Sequence, residues 1–342
     1  MSTNFSEMNW AWTLGGKMFI IGQNTGTEDK RMMNIGIDVG GTNLVAGLVN
    51  AEGKVLIKKK TPTLAKEGYA AVTGRIVELI AQVRADADGM GCEQPGSIGV
   101  GVPGIVSGDG KTILSCPNLF WENMPLKADL EAKTGLPVFC SNDATVAGIA
   151  EHRFGSSQGY ADAVMFTLGT GVGGSVIADG KVVNGVHGVA SEFGHMIVGE
   201  GLYTCNCGKK GCLETYASAT GIIWLARKRI EEGQPSSILE AAGQNLEKID
   251  AEMVINGAKA GDAVGRECFD SMVSHLAIAI SNITDILDPA VYVLGGGVAH
   301  AGEFNQSRLR DQFGDLFTKD LIVTDFRFHL GWREVLADGR GV

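Results

Sequence analysis

Continuous apolar runs and helical spacings divide residues 34–330 into short strands and longer helices. Residues 34–38 (NIGID) are an almost wholly apolar run of strand length that stops at a carboxylate. A glycine turn, Val39-Gly40-Gly41-Thr42, follows, and residues 44–49 form a returning strand, so Asp38 is placed at the tip of a hairpin. Residues 55–57 continue that sheet. Over 69–83 the apolar positions Val72, Ile76, Leu79, Ile80 and Val83 recur at the spacing of one helix face. Residues 97–102 predict a further strand, running into Pro103-Gly104 and a loop that ends at Pro117-Asn118. A helix over 126–134 closed by Gly135, a strand over 138–141 and a helix over 144–154 come next.

Residues 163–168 are another apolar run. A second glycine turn, Gly169-Thr170-Gly171-Val172-Gly173-Gly174, leads from it into a returning strand over 175–178. The pattern then turns helical over 219–232, 251–259 and a long stretch at 263–287. Residues 291–294 read as a buried strand ending in Gly295-Gly296-Gly297, and 321–330 as a last strand. Strands interleaved with helices over this length predict an α/β fold in two lobes, 34–142 and 143–330. Residues 1–33 show neither period and are expected to be an appended or disordered leader. Residues 331–342 are polar without a helical pattern, an atypical tail.

The two glycine hairpins share one plan: strand, glycine turn with a threonine, returning strand. That suggests a weak internal duplication, with one phosphate-gripping turn per lobe facing the other across a cleft. Backbone N–H groups in such turns cradle phosphate oxygens, Thr42 adds a hydroxyl, and Asp38 at the strand end can hold a hydrated divalent cation. Glycine hairpins also arise for purely steric reasons. Residues 99–104 and 169–174 both spell G-x-G-x-x-G, yet neither opens a helix as a dinucleotide site requires. The pair suits a nucleoside triphosphate better, and Gly295-Gly296-Gly297 is a third turn where a base and ribose could approach the backbone.

The densest chemistry lies in residues 192–214, EFGHMIVGEGLYTCNCGKKGCLE. His195, Cys205, Cys207 and Cys212 are spaced H-x9-C-x-C-x4-C, the His/Cys3 set of a closed tetrahedral zinc site. A closed site leaves no position for water, so the metal is expected to hold loop 195–212 and do no chemistry itself. Glu192 and Glu214 flank the ligands, so the loop draws two carboxylates together, a pairing suited to a ligand rich in hydroxyls. A disulfide or a coincidental cysteine-rich turn are the other readings of these residues. Asp143 stands where a strand passes into a helix. A carboxylate there can accept a proton from a hydroxyl nucleophile, and an Asp there is equally a favoured helix N-cap.

Composition narrows the partners. The chain has 342 residues, 44% of them apolar, enough for two lobes with their own cores. A net charge of −10 without clustered Lys and Arg argues against a nucleic-acid surface. Lys58-Lys59-Lys60 reads as a solvated strand edge. No apolar run approaches the ~20 residues of a bilayer span, so no membrane partner is expected. Of the seven cysteines, Cys92, Cys116, Cys140 and Cys268 lie far apart, as free thiols in a reducing compartment do, which predicts a cytoplasmic location.

Residues 168–195 (LGTGVGGSVIADGKVVNGVHGVASEFGH), followed by C-x-C-G-x-x-G-C-x-E at 205–214, resemble the ROK family of repressors and sugar kinases, most strongly its bacterial ATP-dependent glucokinases. The resemblance runs over about 34–330. It implies the actin/hexokinase-like (ribonuclease H-like) fold, with sugar at the base of a deep interlobe cleft. It also implies ATP-dependent phosphorylation of glucose at the 6-hydroxyl, with Mg²⁺ beside the ATP, by a homo-oligomer (dimer or tetramer). Carried onto this sequence, Asp38, Gly40, Gly41 and Thr42 are the first phosphate motif, and Thr167, Gly169, Thr170, Gly171 and Gly173 belong to the second. Gly295, Gly296 and Gly297 line the adenosine pocket. Asn118, Asn142, Asp143, Glu192, His195 and Glu214 contact the sugar, with Asp143 as general base and His195 reaching a hydroxyl through the nitrogen that does not bind zinc. Two departures stand out. Thr145 and Val146 follow Asn142-Asp143-Ala144 where a second Asn is frequent, and the chain ends GWREVLADGRGV in place of an Asp-Ala-Gly stretch and a helix packed on the first lobe. The same family offers other outcomes: a kinase for N-acetylglucosamine, N-acetylmannosamine, fructose or mannose, a non-catalytic sugar-binding protein, or a DNA-binding repressor. The 33 residues before the first strand are too few for a repressor's helix-turn-helix.

Overall fold

The computed structural model describes residues 33–301 and two short strands before them, β1 (Met8–Ala11) and β2 (Ile20–Gln23), paired antiparallel. That ribbon lies inside the expected leader and corrects it in part: four residues are too few to display a period. The expected strand at 321–330 and the tail at 331–342 lie outside the described residues.

The hairpin of β3 (Asn34–Val39) and β4 (Asn43–Val49) forms as expected, and β5 (Val55–Pro62) adds an edge strand that carries the lysine run. Helix α1 (Tyr69–Gly89) runs past residue 83 because Ala87 continues its buried face. Strand β6 (Ile98–Val102) is buried along its whole length, as a parallel strand covered on both faces must be. The expected loop beyond it folds into a small sheet of β7 (Ile105–Val106), β8 (Ile113–Cys116) and β9 (Trp121–Met124), again strands too short to show alternation. Helix α2 (Leu126–Thr134) ends at Gly135 in the left-handed conformation, and β10 (Val138–Asn142) completes the first large sheet, ordered β10-β6-β3-β4-β5. Its core gathers Ile35, Ile37, Val72, Ile76, Val100 and the fully buried Trp121, whose ring meets Tyr69 edge-on at 5.1 Å.

Helix α3 (Asp143–Phe154) leaves the edge of this sheet and packs on a second one. A Cβ on its Gly148 would stand 2.2 Å from Ser175 Oγ, so only glycine allows this approach. The second sheet takes β11 (Ala163–Leu168), β12 (Val172–Ala178) and β13 (Lys181–Val182), then, after helices α4 (Glu214–Ala217), α5 (Ala219–Glu231), α6 (Ser237–Ala241), α7 (Ala251–Ala260) and α8 (Ala263–Leu287), the parallel strand β14 (Val291–Gly295). Alternate residues of β11 serve two layers. Val164, Phe166 and Leu168 pack in the large core with Met272, Leu276 and Ile280 of α8, while Ala163 and Met165 pack with Val146 and Ile149 of α3. No helix among the described residues is long and apolar enough to cross a membrane.

Strand β12 begins at Val172, three residues earlier than the sequence suggests, so Gly173 and Gly174 are strand residues. Their small size serves packing. A Cβ on Gly173 would lie 2.5 Å from Ala144 Cβ, and one on Gly174 would lie 2.2 Å from the Phe193 ring.

Candidate active site

Strands β3, β6 and β10 are parallel and end at one edge. Asp38 and Ser141 flank Gly101 from opposite sides, which separates their backbones by two strand spacings, about 10 Å. Asp143 follows at the start of α3. The cap of that helix is Asn142: its backbone is extended, its Oδ1 accepts the Thr145 N–H at 3.1 Å, and its Nδ2 donates to Gly104 O at 3.1 Å. Asp143 is thereby released from capping and accepts the Ala144 N–H at 2.8 Å. Burial pushes its carboxyl up to about 7, and the charges of Asp38 and Glu192 push the same way against the Ala144 N–H. A carboxylate balanced near neutrality is suited to taking up a proton.

The first glycine turn borders this edge. Gly40 N–H donates to Asn43 O at 3.0 Å, Gly41 and Thr42 are exposed, and a Cβ on Gly41 would stand 3.7 Å from Asn118 Cβ. Asn118 is thus brought to the turn. In the second sheet Thr167 pairs with Gly173 on one side and Gly295 on the other, so the second and third turns start side by side. Gly296, at φ 94°, closes to where a Cβ would be 2.4 Å from Leu168 O. The contact of Gly173 with Ala144 sets the second turn against the helix start that carries Asp143.

The four expected metal ligands converge. One ligand atom from each of His195, Cys205, Cys207 and Cys212 lies within 4.8 Å of all the others. The Cys207 and Cys212 sulfurs are 3.5 Å apart, too far for a disulfide and near the roughly 3.8 Å edge of a tetrahedron with 2.3 Å zinc–sulfur bonds. His195 turns Nδ1 toward Cys205 Sγ at 3.6 Å and holds Nε2 4.0 Å from Glu192 Oε2, so its two nitrogens face different tasks. Glu192 is placed by its backbone. Ser191 takes φ 71°, rare for a serine, and Phe193 N–H reaches back to Ser191 O at 2.7 Å, a tight turn with Glu192 at its apex. Burial raises the Glu192 carboxyl, His195 opposing and Glu214 adding. Glu214 Oε2 accepts the Val172 N–H at 3.0 Å.

A pocket joins the small sheet of the first half to the loop before the cluster: Val106, Ser107, Asn142, Asn184, Gly188 and Glu192 line it. Ser107 and Asn184 carry no motif, and only their polarity within loops could have marked them. The 184–190 loop reaches this place because Gly188 has no side chain; a Cβ there would fall 1.7 Å from Val106 O.

Residues 34–332 match the ROK family. The chain belongs to the ROK family. This ROK chain is 36% identical to the glucokinase of Thermotoga maritima over 291 residues, which cover 85% of this chain and 90% of that protein. It is 29% identical to the xylose repressor of Caldicellulosiruptor bescii, over 81% of this chain and 69% of the repressor. The structure of a ROK family glucokinase from Streptomyces griseus in complex with glucose and AMPPNP is similar at a TM-score of 0.70 and 32% identity, over 87% of this chain and 92% of that one.

Proposed function

We propose that this ROK protein is an ATP-dependent sugar kinase that transfers the γ-phosphoryl group of ATP to the 6-hydroxyl of glucose, with Asp143 as general base. The observation that carries the reading is the placement of Asp143. It is freed from capping, poised near neutrality, on one sheet edge with Asp38 and against the second glycine turn. The two halves then act as the lobes of an actin/hexokinase-like fold, with the pocket beside Glu192 at the base of the cleft.

In this reading Asp143 takes the 6-hydroxyl proton as the sugar oxygen bonds to the γ-phosphorus, and the bond to the β-phosphate oxygen breaks to release ADP. Gly40, Gly41, Thr42, Thr167, Gly169, Thr170, Gly171 and Gly173 form the two turns that receive the phosphates; the N–H groups of Gly40 and Gly169 are spent within the turns on Asn43 O and Gly171 O, so the exposed Gly41, Thr42 and Thr170 make the contacts, and Gly295, Gly296 and Gly297 border the adenosine. Asp38 would hold Mg²⁺, which would supply positive charge against that on the transferring phosphoryl group. Asn118, Glu192, His195 and Glu214 take the sugar hydroxyls. Asn142 has already committed Oδ1 and one N–H, so a single N–H is left for the sugar. His195, Cys205, Cys207 and Cys212 fit a structural zinc ion, which would fix the loop and leave the chemistry to the carboxylates. Assembly as a dimer or tetramer in the cytoplasm belongs to the same proposal.

Coupled measurement of ADP release with glucose, N-acetylglucosamine, mannose and fructose tests it. The expected result is kcat/KM highest for glucose, by about tenfold or more over N-acetylglucosamine. Preference for an N-acylated sugar moves the reading to another ROK kinase. No ADP release with any sugar, together with retention on DNA at physiological salt, favours the repressor reading that the 29% identity to a xylose repressor keeps open.

A further inference from the structure

Glu214 has a second task, which rests on the kinase reading. It opens α4 two positions after the metal ligand Cys212. The loop is tied directly at that point: Leu213 N–H donates to Met196 O at 2.8 Å, and Thr215 Oγ1 to Cys212 O at 2.8 Å. The position of this carboxylate is therefore set by the metal cluster, and its Oε1 lies 3.8 Å from Cys205 Sγ. Its other oxygen reaches across the fold to accept the Val172 N–H at 3.0 Å. A Cβ on Gly171 would stand 2.2 Å from that same oxygen, so the missing side chain at 171 leaves the space the carboxylate fills. The carbonyl of Val172 is met by the loop as well, since a Cβ on Gly194 would lie 2.1 Å from it. The N–H of Val172, the residue where the second glycine turn becomes β12, is bonded by Glu214, and its carbonyl is closely approached by Gly194 of the same loop.

We infer that Glu214 is a positioning residue for the nucleotide: seated on Val172 N–H and over Gly171, it holds the second glycine turn in the shape that receives the phosphates. Nucleotide affinity then depends on the cysteine loop even with no sugar bound. A role confined to the sugar leaves nucleotide affinity untouched. A purely electrostatic role predicts tighter nucleotide binding once the negative charge is removed.

Calorimetric binding of AMPPNP with Mg²⁺ to the metal-loaded protein, without sugar, separates these. Glu214→Ala is expected to bind the analogue about tenfold more weakly, because it leaves the Val172 N–H without its charged acceptor. Glu214→Gln keeps the size and an acceptor and is expected to stay within about threefold of the parent, a rescue that charge alone does not produce. Glu192→Ala, which removes only a sugar-side carboxylate, is expected to keep nucleotide affinity. Binding by Glu214→Ala as tight as the parent's, or tighter, overturns the inference. Should Glu214→Ala fail to retain metal, Glu214→Asp decides in its place, since it keeps the charge but withdraws the carboxylate by one methylene from the Val172 N–H: about tenfold weaker analogue binding supports the inference and unchanged binding overturns it. A folded parent that binds no AMPPNP at all sinks the kinase reading itself, an outcome distinct from parent and variant binding equally.

Discussion

Asp143→Asn lowers turnover with glucose and MgATP by about 10²–10⁴-fold and leaves the glucose dissociation constant within about threefold. The amide keeps the shape of the side chain and its acceptor for the Ala144 N–H, while Asn142 continues to cap α3, so no packing is lost. What is lost is the ability to take a proton. The same change is expected to stabilise the fold. The Asp143 carboxyl stands above its ordinary 3.8, at about 7, so the folded chain holds that proton more tightly than the unfolded chain does. This group therefore costs stability as pH rises from about 4 through 7, and replacing it removes the cost. A rise of about 2–5 °C in Tm, measured near neutral pH beside the kinetic loss, is the signature of a residue kept for chemistry at the expense of stability. Near-normal turnover in Asp143→Asn contradicts its assignment as base.

Cys207→Ser is expected to abolish binding of the proposed zinc ion and with it the organisation of the proposed sugar site. Cys207 is the exposed member of the cluster, whereas Cys205 and Cys212 are buried, so serine there costs no core packing and any effect reports ligation. The expected outcome is loss of about one zinc per chain by elemental analysis, a Tm lower by about 5–10 °C, and a glucose KM raised about tenfold or more. The rise in KM follows from the route by which the carboxylates are placed. Glu192 lies at the apex of a turn three residues before His195, and Glu214 two residues after Cys212, so a metal on the proposed ligands would fix the positions of both. Stripping the ion from the parent with a strong chelator gives the same pattern, reversed on adding zinc back. A variant with unchanged metal content, Tm and KM contradicts a structural metal.

How much of this was legible in the sequence follows from how local each determinant is. The four candidate metal ligands span eighteen positions, and their spacing sufficed to place them together. The β3–β4 hairpin and α1 were legible because turn chemistry and the apolar face are written into consecutive residues. At the end of β10 two polar residues stand side by side, and residue type alone allowed Asp143 to be either cap or base. The extended backbone of Asn142, a product of its place in the sheet, gives the cap to Asn142. Gly173 and Gly174 read as turn because glycine is the commonest turn residue; their actual constraint comes from Ala144 and Phe193, which no local pattern exposes. The Glu214 to Val172 bond and the Gly188 to Val106 contact are of the same kind, tertiary approaches between distant segments. The ribbon of β1 and β2 and the small sheet of β7, β8 and β9 were missed because strands of two to four residues carry no usable period.

The pH dependence of kcat/KM for glucose, measured for the parent and for Asp143→Asn, tests the role of Asp143 most directly. Catalysis by an ionised Asp143 predicts that parental activity falls as pH drops through an apparent value of about 7, tenfold per unit on the acid side, while the residual activity of the variant is flat over that range. A parental profile without that acid limb, or a variant that retains it, contradicts the account.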